Sequence, residues 1–494
     1  MRRAMQVLEG LGPQESKETY DYGYDHPFFG QIFLAATLSL VNYPDSINPS
    51  VNLHSIEMLY LVPRVMMGIL AVIDTFLIYN IAETRYNRKV AFISATLFAV
   101  MPLSRILRAI LLDSIELPFI LLSILFAVYY AKSVSQNTST NSRDKNILLI
   151  LLSGIFLGLA IFTKVPVFTM TPLLASIILK KDNRSPNSDS TRLSRLKTLG
   201  IWFIPIVLIP MMWPAYAISM GQFGDWLDGV LYQTGRQGGR DLSYSIMLVT
   251  QIDPLLVTFG LAGVVYSAIK KDYFVILWTL PYLIFLYLIG WVVYFHWSVL
   301  LPILCIALAI MADRLRETFA AYKLIGLLPY VMISAVAIFG FLSIAALTTS
   351  HLNTTYNEVY LFVTRELEHT GANTYNQDEE DGTTLIGSHR TRALIWIPKY
   401  IFNYGVIFRD TDLPNDNFTK PIQTKKFLIV ADSNLLSRFT EVKQHEKYKR
   451  ITTLYYNTSE TIATFIDKGS NRYNFHNIRE NHGFGPFVEV RANY

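Results

Sequence analysis

Cysteine is nearly absent from the 494 residues. Cys305 stands alone, so an internal disulfide framework is excluded, and with it a stapled secreted domain. It lies in an apolar run, where a cysteine packs as a small hydrophobe. Charge is scarce as well: Asp, Glu, Lys and Arg make up 16% of the chain, against about 25% in soluble proteins. Hydrophobic residues make up 51%. That balance excludes a simple soluble enzyme and a disordered scaffold. The scarcity is local. Residues 351–494 carry 17 Lys/Arg and 17 Asp/Glu, about 24% of that stretch, whereas the first 350 are only about 13% charged. Lipid is the solvent implied for the first part and water for the second. The net charge of +5 comes wholly from the first part, where it reads as a topology signal and not as a nucleic-acid footprint. No nucleic acid is expected as a partner. No cleavable signal is expected within residues 1–27, which are polar with no apolar core. Metal-ligand spacing occurs nowhere, so no cofactor is predicted, although a divalent cation is left open.

What is present in quantity is long apolar runs. A span needs about 20 apolar residues, and runs of roughly that kind fall near 60–80, 90–103, 112–131, 146–162, 166–180, 199–218, 246–269, 273–290, 297–312 and 324–347. The expected fold is a polytopic α-helical membrane protein of about ten spans with a C-terminal extracytoplasmic α/β domain. Its expected parts are an exterior loop with interfacial helices (1–58), a transmembrane domain (59–350) and the α/β domain (351–494). Loops at 82–89, 132–145, 180–198, 270–272 and 313–323 hold 17 of the 26 Lys/Arg of the membrane part. The positive-inside bias therefore places them in the cytoplasm and leaves both termini, as given, on the exterior side of the cell membrane.

In the C-terminal domain, 383–387, 406–408 and 427–430 read as buried strands. Segments 392–403 and 434–442 read as helices, and 451–456 as a further strand. It contains no Gly-rich phosphate loop, zinc spacing or nucleophile elbow. Sequons at Asn353, Asn417 and Asn457 fit an exterior location.

Polar residues at the ends of spans cost energy in a membrane protein and mark candidate functional sites. Four clusters stand out, all on the expected exterior side. In Tyr22-Gly-Tyr-Asp-His-Pro-Phe-Phe-Gly-Gln31, Asp25 or His26 either caps a helix opened by Pro27 or serves a site. In Leu103-Ser-Arg-Ile-Leu-Arg-Ala-Ile-Leu-Leu-Asp-Ser-Ile-Glu-Leu-Pro118, Asp113 either complements a helix dipole or joins Arg105 and Arg108 in an acceptor or phosphate site. Arg64 opens a span and either snorkels to headgroups or binds an anion. The fourth cluster gathers Lys164, the loop 219–245 with Arg236 and Arg240, and His296. Singly, such cations bind anionic lipid heads without catalysis.

Together these clusters resemble the GT-C glycosyltransferases. The carriers are Asp-His-Pro-x-x-Gly at 25–30, Arg64, Ser-Arg with Leu-Leu-Asp-Ser at 104–114, and Lys-x-Pro at 164–166. The likeness runs over about residues 1–310. It points to the branch of the protein O-mannosyltransferases, which use dolichyl phosphate mannose, and the related lipid A aminoarabinose transferases. The Trp-Trp-Asp-Tyr-Gly motif of oligosaccharyltransferases is absent.

The resemblance implies a membrane enzyme that moves a hexosyl or pentosyl group, with inversion, from a polyprenyl-phosphate sugar to an exterior acceptor, whether protein, lipid or glycan. It also implies roles. Arg64 would hold the donor phosphate, helped by Lys164, Arg236 and Arg240. Asp113 would serve catalysis as the second acidic residue, binding or polarising the acceptor, with Arg105 or Arg108 holding it ionised, while the proton would go to an Asp of the family's first exterior loop. His26 would position the loop or touch phosphate, alongside Asp25 and His296 in support. Members of the family carry an Asp-Glu pair in their first exterior loop, and Met1–Gly12 resembles the segment that follows it. The chain as given lacks that acid, which leaves two expectations: a start at an internal Met, the favoured one, or a degenerate copy. The alternative function is accordingly a non-catalytic protein that binds or translocates a polyprenyl-phosphate sugar.

Overall fold

The structure, a computed structural model, describes residues 1–14, 24–136, 142–179, 189–235, 241–319, 321, 325–349, 354–370, 383–388, 391, 395–411, 418, 426–440, 445–466 and 487–494. They form two compact units, one of residues 1–23, 31–63 and 347–494 and the other of 24–30 and 64–346. The described helices are α1 (Arg2–Leu8), α2 (Phe29–Ser39), α3 (Leu53–Arg85), α4 (Arg88–Val100), α5 (Leu112–Gln136), α6 (Ser142–Thr163), α7 (Thr171–Ile178), α8 (Asp189–Leu208), α9 (Met212–Ser219) and α10 (Phe223–Gly235). They continue with α11 (Leu242–Ile252), α12 (Pro254–Ile269), α13 (Tyr273–Ile289), α14 (Leu301–Thr318), α15 (Leu328–Thr349) and α16 (Thr354–His369).

Among the described residues, five helical stretches are long and apolar enough to cross a bilayer: Leu53–Arg85, Leu112–Ser135, Asp144–Thr163, Leu196–Ser219 and Leu328–Ala346. Arg88–Val100 and Pro102–Arg108, bent by 70°, make a sixth if taken together. The integral-membrane reading stands on these helices; the count of ten does not emerge from them. The reason is physical. A hydropathy run records removal from water, not unbroken helix. The run at 166–180 begins as a 3-10 turn, Val165–Met170, before α7. The run at 246–269 breaks at Asp253, whose carboxylate accepts from the backbone N–H of Leu256 (3.0 Å) and of Leu103 (3.2 Å). One side chain thus caps α12 and fastens the segment before α5. The run at 297–312 opens with a 3-10 turn, Tyr294–Val299, and α14 is buried continuously from Leu301 to Asp313. Its apolarity serves a protein core and not a lipid face.

Burial sorts the remaining helices. In α5, 72% of the apolar window is buried, against 22% in α15. Helix α5 is therefore central to the helical unit, while α15 presents Val331, Ile338, Phe341 and Leu342 outward as a lipid-facing surface. Helices α12 and α14 meet at Gly263, where an added Cβ would lie 2.6 Å from the Ala307 carbonyl oxygen and 2.7 Å from the Leu308 nitrogen. Backbone cannot yield as a side chain can. Gly263→Ala is expected to lower stability by about 1–3 kcal/mol, read as a fall in the thermal melting of the detergent-solubilised protein.

The other unit holds a five-stranded sheet of order β2-β1-β3-β5-β4, with β1 (Thr383–Gly387), β2 (Val406–Asp410), β3 (Lys426–Asp432), β4 (Glu460–Ile466) and β5 (Phe487–Ala492). The first three strands are parallel; β5 pairs antiparallel with both β3 and β4. Helices α17 (Ser433–Thr440) and α18 (Glu446–Ile451) pack Leu435, Phe439 and Ile451 on Ile386, Phe427 and Ile429. Strands β1, β2 and β3 and helix α17 lie where the sequence places them. The expected strand at 451–456 is instead helical, since Thr452–Tyr456 continues α18 as a π turn and buries Tyr455 against Phe427. Residues 392–394 of the helix expected at 392–403 lie outside the described residues, as do Asn353 and Asn417.

Candidate active site

The start of α5 carries Asp113 in its first turn and Glu116 just beyond it, three residues apart and so on one face of the helix. Both are buried. Helix α6 runs back beside α5 and stops at Thr163, ahead of Pro166. Lys164 there takes an extended backbone conformation (φ −155°, ψ 118°). Its ammonium Nζ lies 2.7 Å from Asp113 Oδ1. The same oxygen accepts from the Ser298 hydroxyl at 3.3 Å, and Lys164 Nζ stands 4.9 Å from the centre of the Phe295 ring. Only 7% of the Lys164 side chain and 4% of the Asp113 side chain are accessible, so the pair is desolvated. In such a setting each charge depends on the other.

The 3-10 turn Tyr294–Val299 supplies Ser298 and is itself held at several points. His296 Nδ1 accepts from the Val293 N–H (3.2 Å), and the His296 carbonyl accepts from the Tyr282 hydroxyl (2.8 Å). The Trp297 indole N–H donates to Ser245 (2.9 Å), and that of Trp278 to the Val299 carbonyl (2.9 Å). Glu116 lies within electrostatic range of both Asp113 and Lys164, and its Oε2 is buried with no hydrogen-bond partner.

The segment that leads into α5 carries a concentration of positive charge. Arg105, in the 3-10 segment Pro102–Arg108, lies within electrostatic range of Arg108 and of Arg64 on α3. Arg108 donates to the Ala99 carbonyl (3.4 Å). Arg105 Nη1 is buried without a hydrogen-bond partner. A buried guanidinium N–H within range of two further arginines is a donor that an anionic group would satisfy.

The sequence profile of the dolichyl-phosphate-mannose-protein mannosyltransferase family matches residues 18–221. No curated protein sequence matches the chain significantly. Among solved structures, the chain is similar to ArnT from Cupriavidus metallidurans bound to undecaprenyl phosphate, with a TM-score of 0.54, 10% identity, and coverage of 100% of this chain and 92% of that one. It is similar too to the oligosaccharyltransferase AglB of Archaeoglobus fulgidus, in complex with an inhibitory peptide and a dolichol-phosphate. There the TM-score is 0.52, the identity 13%, and the coverage 96% of this chain and 70% of that one. The fold is that of the GT-C glycosyltransferases. Against the oligosaccharyltransferase tethered to an acceptor peptide (TM-score 0.50, 14% identity), the chain covers 64% of the length of that protein, less than two thirds, with 88% of its own residues aligned.

The structure also describes the segment at 24–30 that the sequence singled out. Gly30, the glycine of the Asp-His-Pro-x-x-Gly segment, has a stereochemical purpose. A Cβ there would lie 2.7 Å from Leu112 Cδ2 and 3.0 Å from Thr163 Cγ2. Those two residues immediately precede Asp113 and Lys164, so the segment is wedged against the base of the pair. Phe28 reinforces it by packing edge-on to Phe162 (4.9 Å) and Tyr216 (5.2 Å). Asp25 is buried, 3.9 Å from His26. The preceding Tyr24 donates to Gln222 (2.7 Å). Burial, with smaller contributions from Tyr216 and Asp225, pushes the Tyr24 phenol up to about 12, so it stays a neutral donor at physiological pH. Arg236 and Arg240 lie outside the described residues. Sequence reasoning missed Ser298 and the closeness of Glu116 to Lys164. The signal for Ser298 was its place two residues beyond His296 in one short turn. Among the described residues, no group of three or more His, Cys, Asp or Glu side chains is arranged to hold a metal ion.

Proposed function

We propose that the chain transfers a hexosyl or pentosyl group from a polyprenyl-phosphate donor to a hydroxyl acceptor on the exterior face, with inversion. The acceptor oxygen attacks the anomeric carbon, the bond from that carbon to the phosphate oxygen breaks, and its electron pair leaves on the phosphate. The acceptor proton passes to a carboxylate. Charge developing on the departing phosphate is met by Arg64 with Arg105, Arg108 and Lys164, preorganised in a poorly hydrated site. Asp113 receives or polarises the acceptor hydroxyl. An ammonium has three N–H donors, so Lys164 can keep Asp113 while also reaching a phosphate oxygen. The observation that carries the reading is the buried, unpartnered Arg105 Nη1, within range of Arg64 and Arg108, on the segment that leads into Asp113. The similar ArnT and AglB structures hold undecaprenyl phosphate and dolichol-phosphate, which supports a lipid-linked phosphate here. In this reading Arg236 and Arg240 add to the donor site from their exterior loop, both termini as given lie outside, and the 351–494 domain recognises the acceptor or braces the exterior loops.

Arg64→Ala tests the donor half. Losing a charged hydrogen-bond donor to phosphate costs about 1.5–3 kcal/mol, so KM for a polyprenyl-phosphate sugar is expected to rise roughly 10- to 100-fold in a membrane transfer assay. An unchanged KM would remove Arg64 from the phosphate site. The second reading, a non-catalytic binding or translocating protein, draws on the engagement of Asp113 by Lys164, which occupies the carboxylate. It predicts donor binding sensitive to Arg64 with no sugar appearing on any acceptor.

A further inference from the structure

A second polar site lies at the other end of the helical unit. Arg64 and Arg85 sit on the same helix 21 residues apart, a rise of about 31 Å, close to the ~30 Å thickness of the hydrocarbon. At the Arg85 end, a cavity of ≈ 890 Å³ opens among the ends of α3, α5, α7, α12, α13 and α14. Four of its lining residues are cationic (Arg85, Lys270, Lys271 and Arg314) and two are acidic (Asp272 and Glu317). Arg85 is 3.7 Å from Asp272, and Arg314 is 3.2 Å from Glu317. Both carboxylates are therefore taken, and neither Lys270 nor Lys271 has a carboxylate partner among the described residues.

Two features point to a missing ligand. Ser267 lines the cavity and is 1% exposed, and its hydroxyl has no hydrogen-bond partner. Buried hydroxyls are ordinarily bonded. Lys271 holds φ at +56°, a left-handed conformation that glycine adopts without strain and lysine does not. The turn thus keeps a cation where the backbone disfavours any side chain. The remaining wall is mixed: Val128, Ala131, Ile177, Leu277 and Ile310 supply an apolar part, and Tyr86, Ser176 and Tyr266 add hydroxyls.

We propose that this cavity binds the headgroup of an anionic phospholipid from the leaflet on the Lys/Arg-rich side of the membrane. Lys270 and Lys271 take the phosphate, the Ser267 hydroxyl donates to one of its oxygens, and the apolar part of the wall takes the first carbons of an acyl chain. Basic pockets between helices on that side suit such lipids, and the apolar part of the wall favours a lipid over a free phosphate. The proposal is independent of the transfer reaction proposed above.

The test uses the full chain, delipidated in detergent and titrated with phosphatidylglycerol or phosphatidylcholine, with retained lipid read by native mass spectrometry. Phosphatidylglycerol is expected to be held in preference to phosphatidylcholine. The K270Q/K271Q variant is expected to lose that preference about thirtyfold. Lys271→Gly removes a charge and relieves the backbone, so it should weaken lipid retention while melting no lower than the wild type, which separates lost binding from lost folding. Equal retention of the two lipids, or a preference unchanged in K270Q/K271Q, would overturn the proposal. So would millimolar inorganic phosphate binding through these lysines with no lipid selectivity, since that would make the cavity a soluble-phosphate site.

Discussion

Asp113→Asn is expected to abolish sugar transfer, lowering kcat about a hundred- to ten-thousandfold, while the protein still inserts in the membrane. Asparagine has nearly the same shape and can still accept from Ser298, now 3.3 Å from Asp113 Oδ1. What it removes is the negative charge. Neither a proton acceptor for the acceptor hydroxyl nor a counter-charge for Lys164 remains at that position. Donor KM should change far less than kcat, because the arginines around Arg105 are untouched and Lys164 keeps its reach to the phosphate. That split between kcat and KM distinguishes a residue acting on the acceptor from one that merely supports the fold. Turnover equal to the wild type, measured with a polyprenyl-phosphate sugar and acceptor in membranes, would end the assignment of Asp113.

Lys164→Met is expected to be the most destabilising of the substitutions considered, at about 3–5 kcal/mol. It leaves the Asp113 carboxylate buried without its cation, and breaking one side of a buried pair costs far more than the pair itself contributes. The D113N/K164M variant, which removes both charges, should recover most of that stability yet remain inactive. Thermal melting of the three variants against the wild type gives the coupling directly. If Lys164→Met alone melts like the wild type, the 2.7 Å contact is not a working ion pair, and Asp113 has another partner.

Asp113 and Lys164 were legible in the sequence, but their partnership was not. Asp113 and Lys164 each stood out as a polar group at the end of an apolar run, and each went to a different half of the reaction. Hydropathy marks where a charge is unusual; it does not record which charge lies opposite. One arithmetic clue was there. Helices α5 and α6 have 25 and 22 residues, so the start of one and the end of the other return to the same membrane face. Arg105 and Arg108, closer in sequence, were the expected counter-charges, yet they belong to a 3-10 segment that turns toward Arg64.

The sheet shows the same division. Strands β1 and β3 are buried on both faces, and their apolar runs announce them. Strand β4 is largely exposed and partners β5 from the last residues of the chain, a long-range pairing that leaves little local signal. At 452–456, the β-favouring Thr and Tyr residues lose to the helix they continue.

The arrangement of the ion pair has a bearing on biosynthesis. Its two members are 51 residues apart in the chain, at the opening of one hairpin arm and the close of the other. As the polypeptide leaves the ribosome, the carboxylate reaches the translocon well before the ammonium that neutralises it. A lone acidic group in a spanning segment is penalised during insertion. The two arms are therefore best released into lipid as one hairpin, with the ion pair already closed.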